Sequence, residues 1–152
     1  MTKKRSPKVK VNFQKILAQD LMSEVVVNVT QDTLVKEVAH LMLRDRISGL
    51  PVVDRKKNIV GMLTISDLLR VIDESSKKEE TDFYEQVFQF RERKVKEIMS
   101  TKVITVSPHT TLDVILHIML KKKIHGFPVV KSGKLIGIIG RHDILNAVFT
   151  FY

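Results

Sequence analysis

A threonine and an aspartate three positions apart, Thr64 and Asp67, form the pair in this chain best suited to hold a sugar phosphate. They lie in the string Gly61–Asp67, which includes an apolar run that predicts a β-strand. If a helix begins here, the threonine hydroxyl and the first backbone N–H groups of the helix would point toward a bound phosphate. The Asp67 carboxylate could accept hydrogen bonds from both hydroxyls of a ribose, and Gly61 would leave room beside the strand. The spacing therefore predicts a nucleotide site.

The same residues also fit a purely structural role. Thr64 or Ser66 could cap the helix by accepting a hydrogen bond from a backbone N–H of its first turn. Asp67 would then do no more than complement the positive end of the helix dipole. On the residues alone, the binding role and the capping role both stay open.

The chain repeats itself, and the repeat organises everything else. An offset of 77 residues lays Ile47–Val53 (ISGLPVV) on Ile124–Val130 (IHGFPVV). A one-residue deletion in the second copy then changes the offset to 76, which brings Asp67 over Asp143. So many ordered matches indicate two copies of one structural unit.

The second copy departs from the first in the residue before its helix. The string Gly137–Asp143 has Gly140 where the first copy has threonine, so the hydroxyl is lost. Arg141 or His142 could replace that hydroxyl with a positive charge. Because the carboxylate of Asp143 is kept, we expect a second candidate site that ranks behind the first and can differ in its ligand.

Each copy reads as a strand, a helix, two strands and a second helix. The first copy begins with a strand at Val25–Val29. A helix follows that ends at Gly49, and its inward stripe consists of Val35, Val38, Ala39, Met42 and Leu43. Two strands come next, at Pro51–Val53 and Ile59–Leu63, and then a second helix lined by Leu68, Leu69, Val71 and Ile72. A unit of roughly 50 residues with one apolar sheet face is too small to be stable alone. We therefore expect an α/β (α+β) fold in which tandem βαββα repeats pack sheet to sheet with pseudo-twofold symmetry.

The domain plan follows from the repeat. The four parts are a basic N-terminal tail with a short helix over 1–19, the first repeat over 20–72, a charged linker with an amphipathic aromatic helix over 73–96, and the second repeat over 97–152. The linker begins with a charged stretch that should be flexible. Its aromatic stripe of Phe83, Val87 and Phe90 is expected to dock on the module or on a second subunit, and Phe13, Ile16 and Leu17 form a smaller stripe of the same kind.

The strings Ile47–Val53 and Gly61–Asp67, in this order and repeated, resemble the cystathionine-β-synthase (CBS) domain family. The resemblance covers about residues 20–72 and 97–149. It implies a tandem pair, called a Bateman module, that commonly forms homodimers. It also implies a regulatory role, in which AMP, ADP, ATP or S-adenosylmethionine binds in clefts between the repeats and a protein partner reads the occupancy.

By resemblance, each cleft takes its ribose-binding aspartate from one repeat and its adenine walls from the other. The cleft of Asp67 would combine Thr64 with Val103, Ile104, Ile124, His125 and Ile138. The cleft of Asp143 would use Val26, Val27, Ile47, Ser48 and Met62. Branched aliphatic side chains would sandwich the purine, although the same residues also suit an ordinary core.

Catalytic chemistry is not expected from this sequence. It has no cysteine, and it lacks G-x-S-x-G, Walker and G-x-G-x-x-G strings. Its five histidines lack the spacing of a metal site, so no metal is expected. An enzyme is therefore not predicted, and without an apolar run of membrane-spanning length we expect a cytoplasmic protein with no membrane contact.

The net charge of +9 leaves a nucleic-acid alternative open. Two thirds of this excess, +6, lies in residues 1–19, where a solvated tail is the simpler explanation. Lys121–Lys123 could reach phosphates, but a basic run at a helix end is usually solvated. The alternatives to nucleotide sensing are thus a dimerisation scaffold with vestigial clefts, and a nucleic-acid-binding module that uses the basic tail.

Overall fold

The structure is a computed structural model that describes residues 12–77 and 82–150. Residues 1–11 of the predicted basic tail and residues 78–81 of the predicted linker lie outside the described residues. The helices are α1 (Ala18–Leu21), α2 (Val35–Asp45), α3 (Ile65–Ser76), α4 (Phe83–Arg91), α5 (Leu112–Lys122) and α6 (Arg141–Thr150). The strands are β1 (Gly49–Val53), β2 (Ile59–Thr64), β3 (Gly126–Lys131) and β4 (Lys134–Gly140), and short 3₁₀ turns lie at Phe13–Lys15 and Val95–Glu97.

Each repeat is built around one antiparallel hairpin. β1 pairs with β2 in a register that sets Gly49 opposite Thr64, and β3 pairs with β4 in the equivalent register. The register shifts at the same point of both hairpins, between Val52 and Val53 and between Val129 and Val130. The tandem α/β repeat predicted from the sequence is therefore confirmed.

The two hairpin turns meet at equivalent residues. Asn58 in the first turn forms an antiparallel bridge with Lys134, the first residue of β4, and the Leu135 N–H donates to the Lys57 carbonyl at 3.0 Å. Asn58 and Lys134 are mates under the 76-residue offset. Contact between mates is what a pseudo-twofold axis through this point produces.

The predicted strand at Val25–Val29 is wrong. Among the described residues of the chain, Val29 alone of this segment has a strand partner, in a parallel bridge to Val52 in which the Val29 N–H donates to the Pro51 carbonyl at 3.1 Å. Extending that parallel ladder backward would need an N–H donated from residue 51 to Val27, and proline has none. A parallel bridge of the same kind joins Val106 to Val129 in the second repeat.

Gly49 does not end the first long helix, as the sequence had suggested. α2 stops at Asp45, and Arg46 follows it in the left-handed conformation with a φ of 53°. Lys123 ends α5 in the same way with the same φ. Gly49 lies instead at a close contact, because a Cβ there would be 3.2 Å from the Thr64 methyl group.

The helices expose more apolar surface than predicted. Leu43 and Leu69, which were expected to face inward, are 81% and 59% exposed, and Ile72 is also exposed. Their inward neighbours Val35, Val38, Met42 and Leu68 are buried, so the stripe toward the core is narrower than the sequence pattern. Leu120 and Leu145, the second-repeat mates of Leu43 and Leu69, are exposed as well, at 76% and 53%. We call Leu43, Leu69, Leu120 and Leu145 the exposed leucines.

The segment that precedes each repeat packs on the other repeat. Ile16 and Ala18, ahead of the first repeat, belong to the core of the second. Val95, ahead of the second repeat, is fully buried in the core of the first. Bridges from Leu17 to Thr111 and from Leu34 to Lys94 join these crossed segments to their hosts.

The two halves of the chain also form backbone hydrogen bonds with each other's hairpins. Ser23 exchanges two backbone hydrogen bonds with Ile138 of β4, at 2.9 and 3.0 Å. Ser100 does the same with Met62 of β2, at 2.9 Å in both directions. Each hairpin thus gains a pairing from the other half of the chain, so the two repeats are interlocked rather than merely adjacent.

The aromatic helix of the linker docks on the module, as predicted. Phe90 packs against the core of the first repeat, and Val87 and Phe90 line a hollow between α3 and α4. Phe83 borders the same hollow but stays 63% exposed. An ion pair of 2.6 Å between Lys36 and Glu92 fixes the end of this segment beside α2.

Candidate functional site

The start of α3 is organised by Thr64 and Asp67. The Asp67 carboxylate is buried, and its Oδ2 accepts both the Thr64 N–H at 2.8 Å and the Thr64 hydroxyl at 2.7 Å. The Asp67 N–H donates to the Thr64 Oγ1 at 3.3 Å, which completes a capping box. The capping role that the sequence left open is therefore present. The cap does not use the Ser66 N–H, and the Ile65 N–H donates instead to the Ser48 carbonyl at 2.9 Å.

Arg70 holds the other oxygen of the same carboxylate. Its guanidinium lies 3.2 Å from Asp67 Oδ1, while its own side chain is 63% exposed. Sequence reasoning missed Arg70, although an acid and a base three residues apart on a predicted helix signal such a pair. Both oxygens of Asp67 thus have protein partners.

Two residues that the resemblance assigned to the other cleft lie at this helix start. The Ile65 N–H donates to the Ser48 carbonyl at 2.9 Å, which ties the end of the α2–β1 loop to α3. Met62 precedes Thr64 on β2, and its methyl group would lie 3.5 Å from a Cβ at Gly49. Ser48 and Met62 therefore border the Asp67 helix start, and their contribution to the Asp143 cleft stays a prediction.

The space beside Gly61 is filled by the protein itself. A Cβ at this position would lie 2.5 Å from the Met99 sulfur. Gly137 has the matching relation to Met22, again with 2.5 Å to the sulfur. The expectation that Gly61 leaves room for a ligand is therefore wrong: both glycines admit a methionine from a crossed segment.

The matching helix start in the second repeat is less elaborate. The Gly140 N–H donates to Asp143 Oδ2 at 2.6 Å, and there is no hydroxyl beside it. The Arg141 N–H donates to the His125 carbonyl at 3.2 Å, so His125 borders this start as Ser48 borders the other. Among residues 12–77 and 82–150, no ion pair joins Asp143 to a basic side chain.

Arg141 lines a groove between α5 and α6. This groove has a volume of about 400 Å³ and is lined by Leu116, Met119, Leu120, Lys123, Ile124, His125, Arg141, Ile144 and Leu145. Arg141 and Lys123 give it a basic rim, and two of the exposed leucines form part of its wall. The groove thus belongs to the outer helical side of the second repeat.

The aliphatic residues expected to wall the clefts are distributed over both repeats. Val27 and Ile47 pack against the core of the first repeat, and Ile124 against the core of the second. Ile104 is 37% exposed, whereas Val26, Val103 and Ile138 are partly buried. Their pairing with Asp67 or Asp143 across the two halves stays a prediction.

Comparison with known proteins identifies the family. The family model for the CBS domain matches this chain twice, over residues 18–74 and 95–150. The chain belongs to the CBS-domain family. Its two matches coincide with the two interlocked repeats, so it is a CBS pair.

CBS relatives include small proteins and parts of enzymes. A CBS domain-containing protein of Dictyostelium discoideum is 29% identical over 87% of this chain and 90% of its own length. The inosine-5′-monophosphate dehydrogenase of Staphylococcus aureus is 36% identical over 78% of this chain, but the match spans only 22% of that enzyme. The similarity to the dehydrogenase is thus confined to a minor part of it.

Solved CBS pairs share the fold. The structure of CBSX2 in complex with AMP is 25% identical, has a TM-score of 0.74, and matches 90% of this chain and 98% of that one. The CBS pair of protein MJ0100, in complex with 5′-methylthioadenosine and S-adenosyl-L-methionine, is 25% identical with a TM-score of 0.71 over 87% and 98% of the two chains. Structures of this fold thus include complexes with adenosine ligands.

Within 12–77 and 82–150, no three histidine, aspartate or glutamate side chains gather as they would around a metal ion. Over the same ranges, no helix combines the length and the apolar character needed to cross a bilayer.

Proposed function

We propose that this CBS pair is a regulatory module that binds an adenosine-containing nucleotide in the clefts between its repeats and passes its occupancy to a protein partner. The observation that carries the proposal is the buried Asp67 carboxylate at the start of α3, held in place by Thr64. A carboxylate so fixed is suited to accept hydrogen bonds from a ribose diol. The complexes of related CBS pairs with AMP and with S-adenosyl-L-methionine support it further.

The phosphate end of such a ligand would lie at the beginning of α3. The backbone N–H groups there carry the positive end of the helix dipole, and α3 has 12 residues over which the dipole builds. The Asp143 start offers a second carboxylate without the hydroxyl, so we propose it as a weaker or differently selective site. Binding of the ligand, rather than its conversion, is the proposed activity.

Occupancy can reach a partner because the repeats are interlocked. A ligand held between them would contact two halves whose leading segments already cross, at Ser23 on β4 and at Ser100 on β2. A shift of one repeat would therefore move the segment that the other repeat contributes. Ligand can shift such an equilibrium only through a different affinity for its two states.

We also propose that the module forms a homodimer through the exposed leucines. Leu120 and Leu145 line one groove in the second repeat, and their mates Leu43 and Leu69 occupy equivalent positions in the first. Isolated exposed leucines are ordinary, but a matched set on both repeats suits a symmetric partner. A second copy of this chain is such a partner.

Two measurements test nucleotide binding. Mass spectrometry of protein purified under native conditions should detect a co-purifying adenosine ligand. Titration calorimetry of the ligand-free chain with AMP, ATP and S-adenosylmethionine should show saturable binding of at least one of them. Absence of heat with all three, together with an intact dimer in sedimentation, would favour the scaffold alternative instead.

A further inference from the structure

The two matching carboxylates differ in their basic neighbours. Asp67 Oδ1 pairs with Arg70 at 3.2 Å, one helical turn further along α3. The 76-residue offset places Asn146 at the position equivalent to Arg70, and its side-chain oxygen instead accepts the Thr150 hydroxyl at 2.8 Å. Asp67 thus pairs with the positively charged Arg70, whereas the equivalent residue of the second repeat, Asn146, carries no charge.

Arg70 has room to change partners. Its side chain is 63% exposed, although the Asp67 side chain with which it pairs is only 10% exposed. Long side chains on a helix lean toward its N-terminus, which here is the end that starts at Thr64. The guanidinium therefore lies on the side of the carboxylate from which a phosphate at the helix start would be reached.

We propose that Arg70 makes the Asp67 cleft selective for phosphate-bearing adenosine ligands over adenosine ligands that lack a negative charge. This inference rests on the proposed nucleotide site and adds the ligand class that the site takes. When a ribose binds Asp67, Arg70 turns its planar guanidinium to the phosphate, where two parallel hydrogen bonds can form. An uncharged 5′-methylthioadenosine offers no such acceptor.

The test compares two ligands in one cleft. Asp143→Ala is introduced first to remove the second carboxylate, and AMP and 5′-methylthioadenosine are each titrated by calorimetry. Arg70→Asn, which copies the second repeat, should then weaken AMP binding by roughly tenfold to a hundredfold, as for loss of a hydrogen bond to a charged group. Binding of 5′-methylthioadenosine should stay unchanged or tighten, since Asp67 Oδ1 is released.

Two control variants sharpen the result. Arg44→Asn removes an arginine of similar exposure, 61%, that pairs with Asp45 on α2, and it should leave the ratio of the two affinities unchanged. Arg70→Lys keeps the charge without the planar fork and should retain part of the preference for AMP. Thermal melting of each variant confirms that it is folded.

The outcomes separate the two proposals. A ratio of affinities that does not move in Arg70→Asn, with both ligands still bound, overturns the role of Arg70 and leaves the nucleotide site standing. Equal weakening of both ligands has the same meaning, because it assigns Arg70 only a structural role. Failure of the parent protein to bind either ligand overturns the nucleotide site and the selectivity with it.

Discussion

Met99 occupies the space beside Gly61, so that a Cβ at residue 61 would lie 2.5 Å from the methionine sulfur and 3.1 Å from the Ser100 carbonyl oxygen. The contact joins β2 of the first repeat to the segment that leads into the second. Met22 and Gly137 make the reciprocal contact. These two pairs lock the repeats together at the strands that lead to the candidate sites.

Gly61→Ala should lower the free energy of unfolding by roughly 1–3 kcal/mol, the usual range for an overpacked core. Met99 can move in part, but the backbone oxygen of Ser100 cannot give way as easily. Chemical denaturation of Gly61→Ala, Met99→Ala and the double variant measures the coupling. The double variant should lose less stability than the sum of the single variants, and strict additivity would contradict the close contact.

Arg46 and Lys123, the residues in left-handed conformation that follow α2 and α5, give a prediction of the opposite sign for stability. Arg46→Gly and Lys123→Gly should each raise the free energy of unfolding by about 0.5–1 kcal/mol, because glycine adopts a positive φ without a Cβ penalty. Arg44→Gly, inside α2, should lower it by about 1 kcal/mol. Urea titrations of the three variants check these signs, and destabilisation by Arg46→Gly would refute the assigned conformation.

Gly140→Thr should restore in the second repeat what Thr64 provides in the first. A Cβ at residue 140 would lie 3.4 Å from Asp143 Oδ2 and 3.8 Å from the His125 carbonyl oxygen, which are ordinary contacts. The new hydroxyl would lie beside the Asp143 carboxylate. Because threonine has less conformational freedom than glycine in the unfolded chain, the substitution should also raise the free energy of unfolding by about 0.4–1 kcal/mol. Calorimetry should show tighter AMP binding at the second site.

Gly140→Val is the matched control, since it adds the same branched shape without the hydroxyl. It should leave nucleotide affinity at the second site unchanged. Equal gains in affinity for threonine and valine would show that the hydroxyl has no part in binding.

The exposed leucines predict the state of association. Leu120→Lys should shift the protein from dimer to monomer in sedimentation velocity, because a charge in this groove cannot be desolvated cheaply. Val25→Lys is the control, since Val25 is 88% exposed and lies outside the helices. A parent protein that sediments as a monomer, or dimers that survive Leu120→Lys, would rule out this interface.

Local signals in the sequence predicted most of the local structure. The repeat offset located both hairpins, and the spacing of Thr64 and Asp67 predicted a helix start with a cap. Pro51 was correctly placed in a strand, but its missing N–H also prevents the preceding segment from joining that strand. The consequence for Val25–Val29 becomes visible only once the pairing partner is known.

The crossing of the leading segments could not be predicted from such signals. Ile16 and Val95 look like ordinary apolar residues next to their own repeats, yet each is buried in the other one. Burial by a distant part of the chain leaves no periodic trace in the sequence. The same holds for Gly61, whose small size suits a ligand or a methionine equally well until Met99 is placed.

Nucleotide affinity of an Asp67→Ala variant, measured by titration calorimetry beside its melting temperature, tests the central claim most directly. Loss of the capping box should cost about 0.5–2 kcal/mol of stability, which leaves the protein folded at 25 °C. The account predicts that AMP affinity falls by at least about tenfold, while Asp73→Asn, an exposed change on the same helix, binds AMP like the parent. Unchanged AMP affinity in a folded Asp67→Ala protein would contradict it.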